Sequence, residues 1–166
     1  MQKMKRIVID GHNLIPKVPG IRLQDFEDEN ALIEILNEYC RLSRTQVEVF
    51  FDGAPTPGPS PRKSGIAHVH FVRKGLTADD AIIAYVRNHQ SPDFMLTVVS
   101  SDHRIQAAVK GAGASTMTSE VFAVEMRRVF SSPAAQQEQK EKRLSDNEIQ
   151  QWLNEFESGQ SGQDNS

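Results

Sequence analysis

Short, densely apolar runs that alternate with helix-like segments constrain this chain more than any other feature. KRIVID at 5–10 is a β-branched run with a charged start, bounded by Gly11; QVEVFFD at 46–52, AHVHFVR at 67–73 and FMLTVVSS at 94–101 are three more. Runs of this length and composition, bounded by turn residues, read as strands. The segments between them have a period near that of a helix. Residues 26–43 carry Leu32, Leu36, Tyr39 and Cys40 at helical spacing, and 119–130 place Phe122, Met126, Val129 and Phe130 on one face. GLTADDAIIAYVRNH at 75–89 starts a helix near Ala78, and DHRIQAAVKGAG at 102–113 reads as a helix closed by Gly111 and Gly113. ASTM at 114–117 is a weak fifth strand. The strands are too apolar to be wet on one side, so the alternation predicts an α/β fold: a mostly parallel five-stranded sheet flanked by helices on both faces. GHNLIPKVPG at 11–20 and GAPTPGPSPRKSG at 53–65, the latter with four prolines and three glycines, read as loops.

After Phe130 the composition changes. SSPAAQQEQKEKR is polar, either a linker or a frayed helix extension. LSDNEIQQWLNEFES then sets Ile149, Trp152, Leu153 and Phe156 on the stripe of a short amphipathic helix, with Ser145 and Glu148 matching a capping box. The expected organisation is a globular domain at 1–131, a polar segment with a short helix at 132–158, and a disordered tail at 159–166. No apolar run is long enough to span a membrane, and the first residues lack the apolar stretch of a signal peptide. A cytoplasmic protein without a membrane partner is expected. The single cysteine, Cys40, forbids an internal disulfide and suits a reducing compartment. Its place beside Leu36 and Tyr39 suits a buried, inert thiol. From Leu144 onward there are five acids and no Lys or Arg, which leaves 19 bases against 17 acids in residues 1–143. A basic body with an acidic tail is a mild pointer to a polyanionic partner.

The acids fall in a pattern. Asp10 ends the first strand, Asp52 ends the second, Asp102 follows the fourth, and Asp79 and Asp80 start the helix after the third. In an open parallel sheet, strand carboxyl ends and the following helix amino ends share one edge, where such folds bind ligands. Each acid also has a plain structural explanation. Asp10 before Gly11 and Asp52 before Gly53 suit turns, Asp102 suits a helix dipole, and Thr77 with Asp80 fits a capping box. Taken together these explanations weaken, because clustered carboxylates repel and raise one another's pKa. A hard divalent cation, Mg²⁺ or Mn²⁺, would neutralise them and could generate a hydroxide nucleophile. Helix phase separates the adjacent pair. Asp79 precedes Ile82, Ile83 and Val86 and so lies on the stripe facing the sheet, whereas Asp80 lies on a more exposed track as the capping acid.

These residues carry a resemblance. IVIDGHNLI resembles the opening strand and D-G-x-N signature of the NYN branch of PIN-like nucleases, and VEVFFDG, LTADDAIIAYV and LTVVSSDHRIQAAV follow in that family's order. The succession F-D-G, A-D-D, S-D is also similar to the 5′-nuclease domains of bacterial DNA polymerases. Within the NYN proteins the chain is most similar to the bacterial YacP-like group of stand-alone ribonucleases, from about Lys5 to Phe130. The resemblance implies a PIN-like, Rossmann-like three-layer fold and a metal core of Asp10, Asp79 and Asp102, with Asp80 and Asp52 as supporting acids. It gives Asn13 the task of holding the Asp10 loop or a water, and Ser101 a hydrogen bond to the metal shell or a phosphate. There are departures. Thr77 stands where the 5′-nucleases carry a further Glu, Arg104 stands where a further acid would follow Asp102, and His12 stands at a position often occupied by Tyr. His12 is either a plain loop histidine or a donor to phosphate or stack for a base. His68 and His70 share one strand face without the spacing of a zinc site.

The expected substrate contacts are Arg62, Lys63, Arg73, Lys74 and Arg104 near the same rim. The expected function is metal-dependent hydrolysis of RNA phosphodiester bonds, endonucleolytic, on mRNA, rRNA or ribosome-associated RNA. The alternative is a catalytically weak or inactive RNA-binding or ribosome-associated adaptor on the same fold. A phosphatase with an Asp nucleophile fits less well, because the acid needed two residues after Asp10 is replaced by His12.

Overall fold

A computed structural model describes residues 4–21, 28–53 and 66–160. Five strands form one all-parallel sheet in the order β3-β2-β1-β4-β5: β1 Met4–Asp10, β2 Gln46–Asp52, β3 His68–Val72, β4 Phe94–Val99 and β5 Ser115–Met117. Central β1 pairs with β2 on one side, Ile9 beside Val49, and with β4 on the other, Val8 beside Val98. The chain therefore builds outward to β3 and returns to the far side of β1. That reversal places the topological switch point between the carboxyl ends of β1 and β4.

The helices are α1 Gly11–Leu14, α2 Asp28–Ser43, α3 Ala78–Asn88, α4 His103–Gly111, α5 Ser119–Phe130 and α6 Pro133–Gln160. Ile82 and Val86 of α3 and Ile105 and Val109 of α4 share a core with Val8, Phe50, Val72, Leu96 and Val98 of the sheet. Alternate strand residues point the other way. There Val47, Val49 and Phe51 are fully buried, α2 contacts β2, and Tyr39 of α2 meets Phe122 of α5 edge-on at 5.2 Å. Each large apolar side chain so covered contributes about 1.5–3 kcal/mol.

The reading of 11–20 as a loop is corrected by the structure. Gly11–Leu14 is a helical turn and Ile15–Lys17 a 3-10 turn, with Leu14 and Ile15 fully buried. Pro16 sits near the start of the 3-10 turn, where its missing N–H has no partner to lose. Gly11 admits this geometry because a Cβ there would lie 2.3 Å from Cε1 of Phe51. The polar stretch after Phe130 forms one continuous helix through Gln160 rather than a linker, built from strong helix formers with Pro133 at its start. The chain divides into two compact units, Met1–Val129 and Phe130–Ser166. Residues 54–65, most of the stretch expected as a loop, residues 161–166 and the side chains of Ile149, Trp152 and Phe156 lie outside the described residues.

Candidate active site

Asp10 is the last residue of β1 and is only 7 % exposed. Burial pushes its carboxyl up to about 6, and the charges of Asp79 and Asp52 push the same way. A hydrogen bond from the Asn13 backbone and the charge of His12 oppose them. Asp79, half-buried in the first turn of α3, is also raised, first by burial and then by the charges of Asp102, Asp52 and Asp80, with Arg104 opposing. The acids from β1, β2, α3 and the β4–α4 turn therefore share one electrostatic site, with Asp79 at its centre. Among the described residues none of the five makes an ion pair with Lys or Arg. Nor do any three His, Cys, Asp or Glu side chains there gather tightly enough to hold an ion as they stand.

Several of these acids also serve the helices. Asp52 Oδ1 accepts from the Ala78 backbone N–H at 2.6 Å, and Thr77 Oγ1 accepts from the Asp80 N–H at 3.1 Å. Two orphan donors at the start of α3 are thus satisfied from different segments. The Asp80 side chain itself is exposed. Asp102 caps α4, its Oδ1 accepting from Arg104 N–H at 2.8 Å, which leaves Oδ2 for the rim.

Asn13 reaches sideways. Its Oδ1 accepts from the Ser101 backbone N–H at 2.9 Å and from Ser119 Oγ–H at 2.6 Å. Ser101 Oγ is occupied as well: it donates to Glu120 Oε2 at 2.6 Å and accepts from the Ser119 N–H at 3.1 Å. Glu120 pairs in turn with Lys17 at 3.1 Å, and its carboxyl is pulled down to about 2, chiefly by the Ser101 hydroxyl. Ser119, Glu120 and Lys17 were not singled out from the sequence. The available signal was that TSE starts a helix directly after a parallel strand, on the same sheet edge as the acids.

His12 has a partner the sequence did not reveal: its Nε2 lies 2.9 Å from Glu29 Oε1, and its ring packs against Phe51 with centroids 5.3 Å apart. His68 and His70 both bind buried Glu48, at 2.8 Å and 2.6 Å. Burial pushes the Glu48 carboxyl up, but the hydrogen bonds and charges of the two imidazoles together outweigh it and leave the pKa lowered. Arg104 is exposed at the start of α4, and Arg73 and Lys74 are exposed in the turn between β3 and α3. Arg62 and Lys63 lie outside the described residues.

The family model described as the YacP-like NYN domain matches residues 7–160. Among solved structures, YacP (Rae1) of Bacillus subtilis is similar over 98 % of this chain and 96 % of its own, with a TM-score of 0.69 and 21 % identity. A tryptophan-to-leucine mutant of the same protein is similar over 76 % of this chain and 77 % of its own, with a TM-score of 0.64 and 24 % identity. Identities this low speak to a shared fold. No curated protein matches the chain.

Proposed function

The chain belongs to the YacP-like NYN domain family, part of the PIN-like nuclease superfamily, and from that premise we propose that it is a metal-dependent endoribonuclease. The observation that carries the proposal is Asp10. A buried carboxylate held up to about 6 with Asp79 and Asp52 acting on it is costly for a resting protein. A divalent cation offsets that cost. The donor set is hard oxygen, which suits Mg²⁺ or Mn²⁺. Asp10, Asp79 and Asp102 would hold the ion, and Asp80 and Asp52 would act as outer acids, Asp52 with one oxygen already committed to α3. When bound, such an ion lowers the pKa of a water and stabilises charge building on a phosphate.

The remaining residues orient. Arg104, exposed at the start of α4 and near enough for its charge to oppose those around Asp79, would contact the phosphate backbone. Arg73 and Lys74 extend that surface. Contacts of this kind give affinity without sequence choice, so binding should weaken steeply with salt. A second reading, an RNA-binding adaptor on the same fold, is favoured by one observation: the described acids are not gathered into a ready-made ion site.

Cleavage of structured and unstructured RNA, compared in Mn²⁺, Mg²⁺ and chelator, separates the two. Metal-dependent internal cuts are expected. Asp79→Asn should abolish them, while Asp80→Asn should retain most of the rate. Tight RNA binding with no cleavage under any metal would leave the adaptor.

A further inference from the structure

We propose that Ser119, the first residue of α5, is a positioning residue of the acidic rim, acting through Asn13 on the turn that carries Asp102. Ser119 is fully buried, and its hydroxyl donates to Asn13 Oδ1 at 2.6 Å. The same Asn13 oxygen accepts from the Ser101 N–H at 2.9 Å. A carbonyl oxygen has two lone pairs, and both are filled. With two fixed donors the Asn13 amide has one orientation; with Ser119 removed it has one tether and an open side. Asn13 follows Asp10 within the turn formed by α1, and Ser101 directly precedes Asp102. One hydrogen bond at this oxygen therefore joins the backbone carrying Asp10 to the backbone carrying Asp102, and the other holds that junction to the start of α5.

The first turn of α5 grips both pieces a second time. The Ser119 N–H donates to Ser101 Oγ, and Ser101 Oγ–H donates to Glu120. Glu120 then pairs with Lys17, three residues beyond Leu14 on the segment that follows β1. The turn of α5 thus ties the β1 exit through Asn13 and Lys17, and the β4 exit through two hydrogen bonds at Ser101 Oγ. None of the five acids lies on α5, so this helix start contributes geometry rather than charge to the acids themselves. That the clamp serves catalysis rests on the nuclease reading. That it exists does not.

The test uses the full chain, with wild type, Ser119→Ala, Asn13→Ala and the double variant. Amide hydrogen exchange at Ser101 reads the clamp directly. Ser119→Ala should speed it by roughly two- to tenfold, the worth of one hydrogen bond, without a matching change at buried sheet amides. With Mn²⁺, kcat for RNA cleavage should fall roughly ten- to hundredfold with KM unchanged, as for a slightly misplaced catalytic group. Because Ser119 acts through Asn13, adding Ser119→Ala to Asn13→Ala should change neither readout further. Unchanged Ser101 exchange in Ser119→Ala overturns the clamp, and so do additive effects in the double variant. Faster exchange with unchanged kcat overturns the positioning role alone. A wild-type chain that cuts no RNA overturns the nuclease reading, and the positioning role with it, while the exchange result still reports the clamp.

Discussion

Replacing Asp10 by Asn should stabilise the metal-free protein at neutral pH, an unusual result for a buried polar residue at the end of a central strand. The carboxyl pKa rises from 3.8 to about 6 on folding, first through burial and then through Asp79 and Asp52. Two pKa units correspond to about 3 kcal/mol. The Asn13 N–H that now binds a carboxylate would bind a neutral amide oxygen instead, which removes about 1 kcal/mol. About 2 kcal/mol of net stabilisation remains, a rise in Tm of about 4–8 °C for a chain of this size. The pH dependence fixes the cause. Below pH 3.8 the carboxyl is neutral in both states and the native environment exacts nothing. Between 3.8 and about 6 the unfolded chain ionises first, so wild-type stability falls as pH rises. Above about 6 the full penalty is present. Thermal melts of both proteins at pH 3.5, 5 and 7 in chelator should show a gap that is absent at the lowest pH and complete at the highest. Saturating Mn²⁺ should then close the gap by raising the wild type alone. A variant less stable than wild type at pH 7, or a gap independent of pH, would refute the claim that Asp10 is a buried, strained anion.

Three further outcomes test the frame around the site. Gly11→Ala should cost about 1–3 kcal/mol by overpacking against buried Phe51, and chemical denaturation should show part of the loss recovered when Phe51→Leu is added. Thr77→Ala should cost about 1 kcal/mol as a lost cap, with faster amide exchange at Asp80 but not at Ala78, whose N–H Asp52 still holds. Burial pushes the Cys40 thiol up to about 11, so mass spectrometry should find it unmodified by iodoacetamide at pH 8 in the native protein and fully modified in denaturant.

The sequence by itself determined the layering and the edge. Val8, Val47, Val98 and their neighbours are apolar on both strand faces, which only a sheet covered on both sides can use, and helix-period segments between them supply the cover. Parallel strands with helical returns put every strand end and helix start on a common rim, so the sequence alone brings Asp10, Asp52, Asp79 and Asp102 to one edge. The phase of one helix likewise separated half-buried Asp79 from exposed Asp80. What it could not contain was pairing between distant segments. Asn13 meets Ser119 across 106 residues and His12 meets Glu29 across 17, and no local pattern marks either partner. The turn after Asp10 read as a loop because Gly11 and Pro16 usually break helices; Phe51 lies so close to Gly11 that only glycine fits there, and the chain winds inward. Even the charge state of Asp10 belongs to the folded molecule. An aspartate at a strand end is an ordinary acid until strands on both sides take its water away and neighbouring carboxylates repel its charge.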